Sequence, residues 1–323
     1  YLYYDQPKTG SALTGANEAP QIRYHRLGTE SSQDKTVLSI PEKPQWQIWP
    51  AMDPDRTTIG FYVDSPDSPN NRLWVQDLTD PNSKVVKLFN SNDANYSLIG
   101  RDGDTLFVFT TKNAPRGKVI TASLSKPGRL NTLIPQGKDA IENVTYAGGK
   151  LIVRAMKDAH SSVRIYSKSG KLAKTVNLPG LGTAEGFNGE TENRKVYYSY
   201  ADFFTPMTIY SMDTSSGVSS VWKRPKTPVD SSKYTAKQIF YKSKDGIMVP
   251  MYIVHKKGLK MNGQNPTILY GYGGFNNPLL PWFSTSRSVW MDMGGVYCVA
   301  NIRGGGEYGV DWWQAAIKTK KQK

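Results

Sequence analysis

With 323 residues, 38% hydrophobic and 21% charged, the chain has the composition of a globular protein, long enough for one large domain or two ordinary ones, and extended disorder is excluded. No window approaches the ~18 uninterrupted apolar residues needed to span a bilayer, so no membrane role is expected. Lys plus Arg number 41 against 27 Asp plus Glu, a net charge of +14; the charges are scattered, the dense cluster is the terminal "KTKKQK", and a solvated basic surface is expected rather than nucleic-acid binding.

The first residues, "YLYYDQPKTG", lack the basic and apolar regions of a signal peptide. They read as the middle of a strand followed by a turn, which suggests that the chain begins inside a domain. Up to about residue 225, short β-branched and aromatic runs dominate: "TIGFYV" (58–63), "TLFVFT" (105–110), "KLIVRA" (150–155) and "KVYYSY" (195–200). "GRDGD" and "AGGK" supply hairpin turns. A partner strand with a shared look recurs in "QIRYHRL", "RLWVQDL", "KVITASL", "VRIYSKS" and "MTIYSMD". Taking Tyr24, Val75, Thr121, Tyr166 and Tyr210 as equivalent gives steps of 51, 46, 45 and 44 residues. Such a period, with about four strands per unit, is the signature of β-propeller blades. About four and a half blades fit in residues 1–225, and blades are expected to be missing on the N-terminal side.

"KRPKTPVD" (223–230) ends the repeat and reads as a linker. Beyond it, residues 226–323 look like the N-terminal part of an α/β domain. Two alternating runs flank Asp245–Gly246 within 237–258, a hairpin signal. "PTILYGYGG" (266–274) and "GVYCVANIRGGGEYG" (295–309) read as strands buried on both faces, each ending in a glycine-rich turn. Helices are expected over 284–295, closed by Gly294 and Gly295, and over 311–322. Cys298 is the single cysteine; it reads as a small core hydrophobe, and a reducing, cytoplasmic compartment is the simplest setting.

Together, "SKDGIMVPMYIVHKKG", "ILYGYGGF" and "VANIRGGGEYG" resemble the prolyl oligopeptidase family of serine peptidases, in family order and spacing. "NRLWVQDL" and "SYADFFTPMTIYSMD" resemble its propeller. The resemblance implies a partial β-propeller, from a seven-bladed ring, followed by the start of an α/β-hydrolase domain. It also implies cleavage of short peptides on the C-terminal side of proline, by Ser, Asp and His on that scaffold. The 323 residues contain no Gly-x-Ser-x-Gly. In the family the nucleophile, acid and base lie C-terminal to the point matched by the end of this chain, so His25, His160 and His255 are not assigned as the base. On its own the chain is therefore expected to be inactive. Unpaired sheet edges are expected to make it express poorly or aggregate.

Two residues carry over from the resemblance. Tyr272 matches the tyrosine whose phenol donates to the oxyanion of the tetrahedral intermediate, and Phe275 matches an aromatic wall of the proline pocket. From residue chemistry alone both would read as packing at a strand end, as Tyr270 does. "NIRGGGEYG" has the spacing of neither a dinucleotide nor a Walker loop; Arg303 and Glu307 are expected to form an ion pair. Asp53, Asp55, Asp102 and Asp104 suit Asx turns better than metal ligation. Neither metal nor cofactor is expected, the partners are short proline-containing peptides, and the full-length protein is expected to be a monomer. The alternatives are an inactive propeller interaction module and a relative that makes cyclic peptides by transpeptidation.

Overall fold

The structure, a computed structural model, describes residues 1–5, 9–11 and 13–322. The turn expected around Gln6–Lys8 and the last residue of the basic cluster, Lys323, lie outside the described residues. Strands β1 (Leu2–Tyr3), β2 (Gln21–Tyr24) and β3 (Lys35–Ser39) form a three-stranded sheet in that order. Four-stranded sheets follow, built from strands consecutive in sequence. The first contains β4 (Gln47–Met52), β5 (Thr58–Asp64), β6 (Asn71–Asp77) and β7 (Val86–Phe89); the second β8 (Tyr96–Asp102), β9 (Thr105–Thr110), β10 (Lys118–Ser123) and β11 (Leu130–Ile134). The third contains β12 (Ala140–Ala147), β13 (Lys150–Lys157), β14 (His160–Ser167) and β15 (Leu172–Val176); the fourth β16 (Thr183–Asn188), β17 (Lys195–Ala201), β18 (Thr208–Asp213) and β19 (Ser219–Lys223).

The five equivalent positions of the repeat, Tyr24, Val75, Thr121, Tyr166 and Tyr210, all fall in the next-to-last strand of a sheet. A register slip lies beside four of them, between Ile22 and Arg23, Leu73 and Val75, Ile165 and Tyr166, and Ile209 and Tyr210. An extra residue at that point bends the strand and increases its twist. The repeat thus encodes a distortion as well as a pairing pattern.

The chain divides into two compact units, Tyr1–Asn113 with Val119–Leu133, and Ala114–Lys118 with Ile134–Lys323. In the first unit the side-chain alternation of β6 feeds two cores. Leu73 and Val75 join Tyr96, Leu106, Val108 and Ile120 of the following sheet. Trp74, on the opposite face, joins Phe61, Val63, Ile48 and Ile22. A four-stranded meander that is apolar on both faces is stable only between neighbours, which is why such sheets stack. In the second unit Ile152, Val163 and Ile165 pack against Val196, Tyr198 and Met212 of the next sheet, with Phe187 stacked on Tyr198 at 4.4 Å.

The second unit also holds a mixed sheet of β20 (Tyr234–Lys242), β21 (Met248–Lys256), β22 (Thr267–Gly271) and β23 (Val296–Ala300), in the order β20-β21-β23-β22. The Asp245–Gly246 turn joins β20 and β21 as expected, Gly246 N–H donating to Ser243 O at 2.9 Å. β22 and β23 are parallel, and α1 (Thr285–Asp292) lies in the crossover between them. Tyr234, Tyr252, Val254, Met291 and Val299 form the core with Ala159 and Phe203 from the turns after β13 and β17.

Two expectations are corrected and one holds. β23 is largely buried, but all five residues of β22, the last strand in the order β20-β21-β23-β22, are exposed. The helix expected over 284–295 is α1, with Ser284 at its N-terminal cap and its end, as expected, where Gly294 turns left-handed and donates to Met291 O at 3.0 Å. The helix expected over 311–322 is α2 (Val310–Gln314) followed by a 3-10 turn at Lys318–Gln322, because Ala316 N–H bonds Trp313 O, three residues back. No described helix is long and apolar enough to cross a membrane.

Candidate active site

Two parallel strands whose C-terminal ends carry glycine-rich turns bring residues 271–277 and 301–309 together. Gly273 has φ +57 and Gly304 φ +100, conformations that side-chain-bearing residues rarely adopt. Space makes the same demand. A Cβ at Gly304 would overlap the carbonyl oxygen of Gly273, and one at Gly273 would sit 2.6 Å from Arg303 O. Asn276 N–H donates to Gly304 O at 3.1 Å, and Gly304 N–H to Trp312 O at 3.1 Å. The two turns therefore touch backbone to backbone, which answers why glycines cluster here.

Tyr272 and Phe275 stand on this platform, their rings stacked with centroids 6.4 Å apart. Both face solvent: Tyr272 is 44% and Phe275 82% exposed. Phe275 has φ +54 and Asn276 φ +58, two left-handed non-glycine residues in succession. Such conformations cost on the order of 1–3 kcal/mol each and concentrate at functional sites. Tyr270, read as packing, is also substantially exposed.

The expected Arg303–Glu307 ion pair does not form. Arg303 reaches across to the β20–β21 hairpin instead, pairing with Asp245 and donating to Ser243 Oγ at 3.2 Å. Glu307 is 1% exposed and accepts from Leu279 N at 3.0 Å and Asn301 Nδ2 at 3.3 Å. Burial pushes its carboxyl up, against the opposing pull of the Leu279 amide. Three residues of chain do not let both side chains face one way here, because the turn between them is wound through Gly304–Gly306.

The histidines are dispersed. His25 Nδ1 lies 2.7 Å from Asp34, His255 Nδ1 2.8 Å from Lys256 O, and His160 Nδ1 3.4 Å from Tyr252 Oη. Burial lowers the His160 pKa. Cys298 is buried in β23 and burial pushes its thiol up, as suits a core side chain. Asp53 accepts from Thr57 N at 2.7 Å and Thr58 N at 2.9 Å, and Asp104 from Ser125 N at 2.8 Å, turn-stabilising roles of the kind expected. Among the described residues no group of three or more His, Cys, Asp or Glu is arranged to hold a metal ion.

Stacked four-stranded meanders, followed by a mixed sheet with glycine turns at the ends of its parallel pair, define a β-propeller joined to the start of an α/β-hydrolase domain. Residues 1–225 match the N-terminal β-propeller domain of prolyl oligopeptidase, and residues 281–323 match the prolyl oligopeptidase family. The chain belongs to the prolyl oligopeptidase family. It is 39% identical over 325 residues to a prolyl endopeptidase of Elizabethkingia miricola, covering 100% of this chain and 46% of that one. A solved structure from a study of two prolyl endopeptidases and their inter-domain dynamics superposes with TM-score 0.84 at 37% identity, over 94% of this chain and 45% of the other. Prolyl oligopeptidase B of Galerina marginata, bound to a 35mer hydrolysis and macrocyclization substrate, gives TM-score 0.89 at 28% identity, over 99% and 46%. The chain thus spans about half the length of the curated relatives it matches.

Proposed function

We propose that these 323 residues are part of a serine-type oligopeptidase that cleaves short peptides on the C-terminal side of proline. The observation that carries the reading is the exposed, stacked Tyr272–Phe275 pair on the interlocked glycine turns. Tyr272 serves as an oxyanion donor: a neutral phenol at a strand end can donate to the negative oxygen of a tetrahedral intermediate. Phe275 offers a flat apolar wall to a pyrrolidine ring, which brings no N–H donor in a peptide. The serine, the acid and the base belong to the remainder of the full-length protein.

The test compares two polypeptides on a chromogenic peptide with proline before the scissile bond. The full-length protein turns it over, and purified 1–323 does not; cleavage after Lys or Arg in place of proline would overturn the reading. Replacing Phe275 by alanine in the full-length protein raises KM for the proline substrate by about 10- to 100-fold, the worth of one lost apolar wall. An unchanged KM would take Phe275 out of the pocket.

A second reading is transpeptidation to cyclic peptides, favoured by the fit to the Galerina marginata enzyme. Mass spectrometry of the products separates the two, since a macrocycle is lighter than the linear acid by one water. Cytoplasmic residence, for which the single buried Cys298 speaks, and a monomeric full-length protein complete the proposal. Cell fractionation and size-exclusion chromatography check them.

A further inference from the structure

The loop that carries Phe275 continues through Pro278, Leu279 and Pro281 to Trp282, and it has little regular structure of its own. Its main chain is held instead by buried polar side chains. Glu307 Oε1 accepts the Leu279 N–H at 3.0 Å, and Asn301 Nδ2 donates to Leu279 O at 2.6 Å and to Glu307 Oε1 at 3.3 Å. Both peptide groups of one residue are thus gripped by one pair of side chains, 0% and 1% exposed. Two residues on, Thr183 Oγ1, itself 3% exposed, donates to Pro281 O at 2.8 Å. A carboxyl group is costly to bury, and Arg303 pairs with Asp245 rather than with Glu307. The hydrogen bonds of Glu307 go to the loop at Leu279 and to Asn301.

We propose that Glu307 is a positioning residue: with Asn301 it brackets Leu279 and so sets the height and angle of Phe275 above the glycine platform. This rests on the assignment of Phe275 to the substrate pocket. Ground-state binding depends on where that ring sits, so KM carries the effect more than kcat. The Leu279 N–H needs only an acceptor oxygen at this place. Glutamine keeps that oxygen, whereas alanine leaves a buried amide without one.

The experiment uses the full-length protein. Glu307→Ala raises KM for a proline chromogenic peptide about tenfold, as expected for a displaced binding wall, with kcat nearly unchanged. It also speeds amide hydrogen exchange across residues 276–283 while the propeller strands keep their protection. Glu307→Gln restores both. If Glu307→Ala does not fold, Asn301→Ala, which removes the donor to Leu279 O, replaces it with the same expected pattern. Wild-type KM and wild-type loop exchange in a folded alanine variant overturn the proposal, as does faster exchange spread evenly over the chain. Should the wild-type protein fail to cleave proline peptides, the functional reading falls. The exchange pattern still decides the bracket.

Discussion

Replacing Tyr272 by phenylalanine in the full-length protein lowers kcat by roughly 10²–10³-fold, the usual loss for one oxyanion donor, which corresponds to about 3–4 kcal/mol of transition-state stabilisation. KM changes little, because the ring and its 6.4 Å stack on Phe275 are kept. Only the hydroxyl is removed, and its bond strengthens as charge develops on the substrate oxygen. Steady-state kinetics on a proline chromogenic peptide give both constants. A phenylalanine variant with wild-type kcat would remove Tyr272 from the chemistry and leave it a wall of the site.

Gly304→Ala has the largest expected structural effect. At φ +100 any side chain is strained, and the added Cβ would meet the Gly273 carbonyl oxygen rather than a flexible side chain. One turn must move off the other, and Gly273 lies between Tyr272 and Phe275. The expected cost is about 3 kcal/mol of stability, the upper range for a strained backbone position, with a fall in kcat/KM of about 100-fold from the displaced site. Gly258→Ala is the control: it too has positive φ, +78, but nothing lies within 4 Å of its Cβ. It should lose stability alone, about 1–2 kcal/mol. Thermal melts and kinetics of the two variants separate strain from collision. Equal behaviour would show that the contact between the turns is unimportant.

The repeat was legible because blades reuse one local solution. The spacing of Tyr24, Val75, Thr121, Tyr166 and Tyr210 falls on the next-to-last strand of each sheet of the repeat. The continuous apolar run in "GVYCVANI" was read as a strand buried on both faces, and β23 is largely buried. The same reasoning failed for "TILYG". An apolar run says that a strand can be buried, but its place at the edge follows from the order β20-β21-β23-β22, which no local pattern encodes. The helix closed by Gly294 was placed with its end, and the one over 311–322 was overextended, since an i→i+3 bond at Ala316 ended it earlier than its composition suggested.

In the candidate site, Tyr272 and Phe275 were legible as motif residues. Their stacking and the two left-handed residues after Gly274 were not. Arg303 and Glu307 show the limit most plainly. Opposite charges four residues apart suggested a pair, yet one reaches Asp245, 58 residues away, and the other turns inward to Leu279. Asn301 carried no signal, because an amide at a strand end is ordinary until its partners are known.

By itself, then, the sequence determined what repeats and what lies within a few residues along the chain: strand period, hairpin turns, the buried cysteine strand and the glycine motifs. These depend on side-chain alternation and local backbone freedom. The tertiary structure decided which strand lies at the edge, which carboxylate meets which cation, and why Gly273 and Gly304 must both be glycine. Those outcomes depend on groups distant in sequence competing for the same space and the same hydrogen-bond donors, and only the folded chain resolves that competition.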